Sequence, residues 1–370
     1  MSSNRKTGKD PIIHIAKRAA MPWYQAWGIR AAAIVAAVLA SALITVLLTD
    51  INPLGVFSAL FKGSFGTSYN TWVMLRDLAM LLCVALALTP AFKMRFWNIG
   101  GEGQIIVGAL ATAICMQSLA GVLPNWLLIL VMLTAGVAAG AVWALIPAIF
   151  KAHFNTNETL FTLMMNYIGI QLTAFYITYT VKSGSGVVGI INLSGKEGWL
   201  PDLFGNKYLL IILVVLLITV LMYVYLKYSK HGYEISVVGE SENTARYIGI
   251  NVKKVILRTL CISGAICGLA GFLLVSSRDH TITTTVADGR GFTAIMVSWL
   301  AKFNPIYMVF ASFLIVFLEK GAGEISTSYG LNNSFADIIT GIILLFIIGS
   351  EFFINYRIMF TKANKEGAAK

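Results

Sequence analysis

Charge is scarce in this sequence. Asp, Glu, Lys and Arg together make up 12% of its 370 residues, about half the roughly 25% of a soluble globular domain. So few charges exclude a water-exposed surface of ordinary extent. Histidine is scarcer still. His14, His153, His231 and His280 are scattered through the chain, so no metal site is assembled by sequence. Cys83, Cys115, Cys261 and Cys267 all fall inside apolar runs without CxxC spacing. That excludes a zinc or redox motif and leaves small buried hydrophobes. No GxxxxGK[ST] loop occurs anywhere, so the chain has no phosphate loop of its own for ATP.

Apolar residues are abundant, at 57% of the chain with a mean hydropathy of +0.77. Runs of about 20 such residues, long enough to cross about 30 Å of hydrocarbon, recur from residue 31 to residue 350. The sequence therefore specifies an all-α integral membrane protein with one membrane domain, 31–350, and no separate soluble domain. Residues 1–30 lack a small-residue cleavage site after a short apolar core and read as a retained basic tail. Residues 351–370 form a second tail.

Reading the apolar runs and their charged or Gly/Pro breaks places ten crossings near 31–49, 71–91, 104–121, 126–150, 158–181, 207–227, 255–276, 292–303, 305–320 and 335–350. An even number puts both ends on one side. Most of the 28 Lys and Arg lie in or beside the segments on that side, which by the positive-inside rule is the cytoplasm, N-in and C-in. The net charge of +11 therefore reflects orientation in a lipid bilayer; it is spread through short loops, not gathered into a nucleic-acid patch. The eighth segment, "FTAIMVSWLAK", rises only about 16 Å as a helix and reads as a half-helix or re-entrant hairpin.

Gly136 with Gly140, and Gly264 with Gly268, repeat at four-residue spacing on one helical face, where they let neighbouring backbones approach closely. The fifth segment lines up Glu158, Thr162 and Asn166 on one face, with Gln171 further along. Such a stripe cannot face lipid; it serves either as interhelical hydrogen-bonding glue or as the wall of a solute path. Arg76 and Asp77, near the outer end of the second crossing, read as snorkelling interface residues. The outer loop, 182–206, is rich in turn formers and reads as mobile and available to an external partner.

In the inner loop 228–254, "SENTARYIG" has the marks of a short helix. Ser241 can cap its start, Glu240 and Glu242 lie near the positive dipole end, Arg246 near the negative end, and Gly249 can take the left-handed closing position. Glu102 stands among Gly100, Gly101 and Gly103 at the start of the third crossing. Two readings stay open for it: a helix-start anchor hydrogen-bonded to backbone N–H groups, and a gate or path residue.

"NIGGEGQIIVGAL", "NETLFTLMMNYI", "GESENTARYIGINVKKV" with "ISGAICGLAG", and "GFTAIMVSWLAKFNP" together resemble the permease subunits of bacterial ABC importers of the branched-chain amino acid, ribose and nucleoside group. Within that group they are most similar to the nucleoside (guanosine-type) permeases, over about residues 70–350. The resemblance implies a type II importer fold in the bacterial plasma membrane and import of a small polar solute, most simply a nucleoside, with riboflavin, ribose-type sugars or branched-chain amino acids as alternatives.

The implied partners are a second, related permease, ABC ATPase subunits that bind the ATP and Mg, and a substrate-binding lipoprotein. The chain itself would hold no cofactor and catalyse no bond change. The resemblance makes residues 240–249 the coupling helix, with Glu240, Ser241, Asn243, Ala245, Arg246, Tyr247 and Gly249 at the ATPase contact. Asn98, Glu102, Gln104, Thr162, Asn166 and Gln171 are the candidate path residues. The stretch "LAKFNP" departs from the resemblance, where "LLGxxNP" is expected. From another class, an ion-driven secondary transporter would also show broken helices and intramembrane carboxylates, though it would not need the capped loop helix.

Overall fold

The computed structural model describes residues 13–18, 21–49, 53–181 and 188–360. The element order is β1 (Ile13–Lys17), α1 (Trp23–Thr49), α2 (Pro53–Phe65), α3 (Ser68–Lys93), α4 (Gly101–Ser118), α5 (Asn125–Phe154), α6 (Glu158–Thr180), α7 (Leu209–Tyr228), α8 (Lys230–Glu240), α9 (Glu242–Tyr247), α10 (Val252–Leu273), a π-helical turn (Leu274–Asp279), α11 (Arg290–Leu300), α12 (Pro305–Ser328), α13 (Asn333–Asn355) and β2 (Tyr356–Phe360).

Each expected crossing falls on a helix, and among the described residues 8 helices are long and apolar enough to cross a membrane. The segments on α4 and α11 lie outside that group. With 11 residues, α11 is half a crossing in length, about 16 Å.

The chain divides into two compact units, residues 1–63 with 321–370, and residues 64–320. In the first, α1 packs along α13 with Ala37 and Ala42 buried, and Arg30 donates Nε and Nη2 to Glu351 Oε1 at 2.7 and 2.6 Å. β1 pairs antiparallel with β2, Ile13 opposite Phe360 and Lys17 opposite Tyr356. The segments read from sequence as two tails thus meet in one ribbon. Strands of five residues are too short to stand out from sequence, and each is a strand only through the other.

In the second unit, α3 is buried without interruption from Ala79 to Phe92, and α10 packs against α3, α4 and α5. The expected glycine spacing sets this packing. A Cβ on Gly264 would strike the Gly140 carbonyl, one on Gly268 the Gly136 carbonyl, and one on Gly108 the Gly268 backbone. Three helices therefore meet with backbones in contact, where dispersion and close approach, not the hydrophobic effect, hold helices together in lipid. Cys83 and Cys267 are buried free thiols of this core.

The loop 228–254 holds more structure than the sequence suggests. Besides α9 it contains α8, capped by Ser229 Oγ accepting from Gly232 N–H at 3.0 Å. Gly239 of α8 abuts the Lys93 carbonyl at the end of α3. Ile235 and Val238 of α8, Ala245 of α9, Met94, Phe96, Ala148 and Val252, Val255 and Leu260 of α10 form one buried cluster.

Candidate functional site

The turn Trp97–Gly103 is held by polar side chains as well as by its own backbone bonds, Asn98 N–H to the Phe96 carbonyl and Ile99 N–H to the Trp97 carbonyl. Asn98 Oδ1 accepts from Gly100 N–H and from Gln104 Nε2, both at 3.1 Å, while its Nδ2 donates to Ser263 Oγ at 3.3 Å. Thr162 Oγ1 accepts from Ile99 N–H at 3.2 Å. Asn166 grips the turn from both ends, donating to the Ile99 carbonyl at 2.9 Å and accepting from Gly103 N–H at 2.8 Å. A Cβ on Gly103 would lie 2.9 Å from Asn166 Cα and from its Oδ1, so glycine is what lets α4 and α6 close around this turn. Asn98, Gln104, Thr162 and Asn166 are all buried.

Glu158, the first residue of the stripe, pairs with Lys151 at 2.9 Å. Gln171 stands apart, exposed on a shallow apolar surface with Tyr167, Ile168 and Leu172. The structure therefore brings four of the six candidate path residues into one hydrogen-bonded knot, with Glu102 beside it.

Glu102 caps a helix other than its own. Gly289, at the start of α11, has no side chain to offer its helix, and Glu102 Oε1 accepts from its N–H at 2.9 Å while Oε2 accepts from Gly291 N–H at 2.8 Å. The two helix N-termini share one carboxylate, and both dipoles favour its charge. The N–H groups that the anchor reading requires come from α11, on the other side of the unit's sequence.

Arg76 and Asp77 are buried, contrary to the snorkelling expectation. Asp77 gathers three cations: Arg76 at 2.9 Å, Arg290 at 3.7 Å and Lys320. A buried carboxylate is tolerable only when paired in this way. Arg290 also reaches Asp288 at 3.5 Å.

Between the π-helical turn and α11, residues 280–289 form bends and turns, although Ile282, Val286 and Ala287 are buried. This break frames a cavity of about 460 Å³ lined by Arg278, Asp279, Thr281, Thr283, Thr285, Val286 and Asp288. None of these was singled out from sequence. A polar run ahead of a short helix was their only signal, the mark of a discontinuous membrane helix.

The outer segment 188–206 is fastened to the same break, against the expectation of a mobile loop. Ile191 N–H donates to the His280 carbonyl at 2.7 Å and Leu200 N–H to the Ser276 carbonyl at 2.9 Å. The Trp199 ring stacks on His280 with centroids 3.7 Å apart. Residues 182–187 lie outside the described residues.

In α9, Ser241 Oγ accepts from Thr244 N–H at 3.2 Å and Arg246 pairs with Glu242 at 3.3 Å. Gly249 closes the helix at φ +83. Ala245 is buried, whereas Tyr247 is 92% exposed and Ile248 is also open. Asn243 is exposed, as is Glu240 at the end of α8. Behind this helix, burial raises the carboxyl of Glu234, but the hydrogen bond and charge of Arg258, 2.9 Å away, with help from His231, carry it below its usual value.

Apolar membrane-length helices, a broken helix beside a polar chamber, and a small helix with one face docked and the other bare define a multi-pass membrane permease. Residues 70–348 match the family described as branched-chain amino acid transport system/permease component, and the chain belongs to that family. It is 31% identical to the guanosine ABC transporter permease protein NupP of Bacillus subtilis, over 89% of this chain and 94% of NupP. It is 25% identical to the glucose ABC transporter permease protein TsgB13 of Haloferax volcanii, over 94% and 93% of the two chains. It is 28% identical to the guanosine ABC transporter permease protein NupQ of Bacillus subtilis, over 65% and 78%. No solved structure matches the chain. The subunit is a transport component of the cytoplasmic membrane and not an enzyme.

Proposed function

We propose that this chain forms half of the path of an ATP-driven importer for nucleosides, N-in and C-in, with residues 240–249 as the helix that receives the motion of a separate ATPase. The observation that carries the substrate is the 31% identity with a guanosine permease along nearly the whole of both chains. Two Bacillus subtilis relatives, NupP and NupQ, both bear the guanosine permease name, which supports pairing with a second, non-identical permease. A substrate-binding lipoprotein delivers the solute, and ATP and Mg stay on the ATPase.

The geometry supports a route for the motion. Ala245 sits in the cluster that also holds the start of α10, and α10 leads into the π-helical turn and the chamber. A push on α9 is thus transmitted along a rigid helix to the one place where the helix is broken. Asn98, Gln104, Thr162 and Asn166 hold the α4 turn in register while this happens, and Glu102 ties that turn to α11.

Uptake of labelled guanosine and other nucleosides by cells with and without this gene tests the reading. Loss of nucleoside uptake on deletion, with ATP depletion abolishing it in the parent, is the expected result. Unchanged nucleoside uptake together with lost glucose or riboflavin uptake would overturn the substrate. Uptake that survives ATP depletion and collapses with the ion gradient would overturn the importer class.

A further inference from the structure

The chamber at the break between α10 and α11 is built for hydroxyl groups. Its volume of about 460 Å³ lies in the range of small-molecule sites, but it is an open cleft with Thr285 and Asp288 exposed, and its lining departs from the usual apolar one. Three threonines, two aspartates and one arginine surround it, with a single aliphatic side chain and no aromatic ring. Threonine hydroxyls both donate and accept, and ionised carboxylates only accept, so the set complements a ligand that presents several O–H groups.

Charge narrows the class. Arg278 is engaged by Asp279 at 3.3 Å, and Arg290 behind the wall is engaged by Asp77 and Asp288. A phosphate or carboxylate entering the chamber would meet two carboxylates and, among the described residues lining it, only one arginine, itself paired. Both aspartates are in turn paired, Asp279 with Arg278 and Asp288 with Arg290, so neither sign of charge is left over and the favoured ligand is neutral.

Thr281 Oγ1 is buried without a hydrogen-bond partner in the protein. Asp288 holds a left-handed backbone at φ +54, directly before Gly289 at φ +70, a conformation that aspartate takes more readily than most residues, and its side chain remains 60% exposed, open to a solute.

We infer that this chamber is the solute-contacting site of the permease and reads the hydroxyl face of a neutral sugar ring, with Asp288 accepting from two vicinal hydroxyls and Thr281, Thr283 and Thr285 completing the set. A carboxylate paired with sugar hydroxyls is a recurrent solution to ribose recognition. The inference rests on the nucleoside reading for its ligand. It also connects the site to the latch, because the backbone that follows Asp288 is the backbone that Glu102 holds.

The test is uptake by cells carrying the complete importer, comparing a ribonucleoside with its 2′,3′-dideoxy analogue at equal membrane abundance of wild type and Asp288→Asn. The substitution is expected to raise the KM for the ribonucleoside about tenfold, the order of one charge-assisted hydrogen bond, and to erase most of the preference over the dideoxy analogue. A purely structural defect lowers uptake of both alike and overturns the inference, as does a preference equal to wild type. If Asp288→Asn does not reach the membrane, Thr285→Val, an exposed position, is held to the same criterion. Wild-type cells that import glucose or riboflavin but no nucleoside overturn the nucleoside reading instead. The chamber is then judged by the KM of Asp288→Asn for that hydroxyl-bearing solute.

Discussion

Glu102 and Gly291 meet across 189 residues of sequence, Oε2 of the one accepting from the N–H of the other at 2.8 Å. With the matching bond to Gly289, a single carboxylate satisfies two N–H groups at the start of α11. A Cβ on Gly291 would strike the Glu102 backbone nitrogen, so the bond depends on glycine at this position.

Glu102→Leu leaves both N–H groups unpaired, Gly291 buried and Gly289 half-buried, at a cost of about 1–3 kcal/mol for the buried one and less for the other. The detergent-solubilised complex is expected to lose several degrees of Tm, and uptake to fall at least tenfold. Glu102→Gln keeps one acceptor and is expected to fall between wild type and Glu102→Leu. Wild-type stability and uptake in Glu102→Leu would show that the bond carries nothing.

This contact also marks where the sequence stops being readable. Membrane helices are legible because lipid demands about 20 apolar residues in a row. The Gly264 and Gly268 seam is legible because both residues recur on one face of one helix. The partner of Glu102 is fixed by a fold that joins residues far apart in sequence, and no local pattern records it. Arg76 and Asp77 fail for the same reason. Their position near a helix end suggests snorkelling, while Arg290 and Lys320, which justify their burial, arrive from distant helices. The chamber is half legible: its threonines and aspartates stand in one run, but only the break after α10 gathers that run around one cleft.

The glycine seam yields a prediction about packing. In Gly268→Val the new side chain would meet the Gly136 carbonyl, which belongs to a helix backbone and cannot swing aside. Overpacking at that contact is expected to cost about 3 kcal/mol, the upper end for inserted core atoms. Lowered membrane abundance and a lowered Tm in Gly268→Val, with near wild-type values for Gly323→Ala, where an added Cβ meets nothing, is the expected contrast. Equal behaviour of the two would remove the seam's structural role.

On the proposed coupling role, the docked face of α9 holds the helix and its bare face grips the ATPase. Ala245 faces inward and Tyr247 outward, so substitutions on the two sides should fail differently. Arg246→Glu with Gly249→Val removes the pairing with Glu242 and forces a β-branched residue into a left-handed position at φ +83. The double variant is expected to stay in the membrane, to hydrolyse ATP in the assembled complex and to transport little. Tyr247→Ala is expected to weaken binding of the ATPase, truncation of an exposed aromatic anchor being worth about 2 kcal/mol at an interface. Normal uptake by the double variant would exclude residues 240–249 as the coupling element.

Lys302 closes α11 in a backbone conformation that favours glycine. Lys302 N–H donates to the Trp299 carbonyl and Phe303 N–H to the Ser298 carbonyl, both at 3.0 Å, the paired bonds that close a helix with its next residue left-handed. Lys302 occupies that left-handed position at φ +49, and Phe303 follows at φ +60. Left-handed backbone costs a side-chain-bearing residue about 1–2 kcal/mol, and Lys302 itself is exposed, so little packing is lost on removing its side chain. Lys302→Gly is therefore expected to stabilise the protein by up to about 1 kcal/mol, after allowance for glycine's greater freedom in the unfolded chain. The readout is a higher Tm with unchanged uptake. A lower Tm would mean that the lysine side chain holds this end of α11 in a way that its backbone does not reveal.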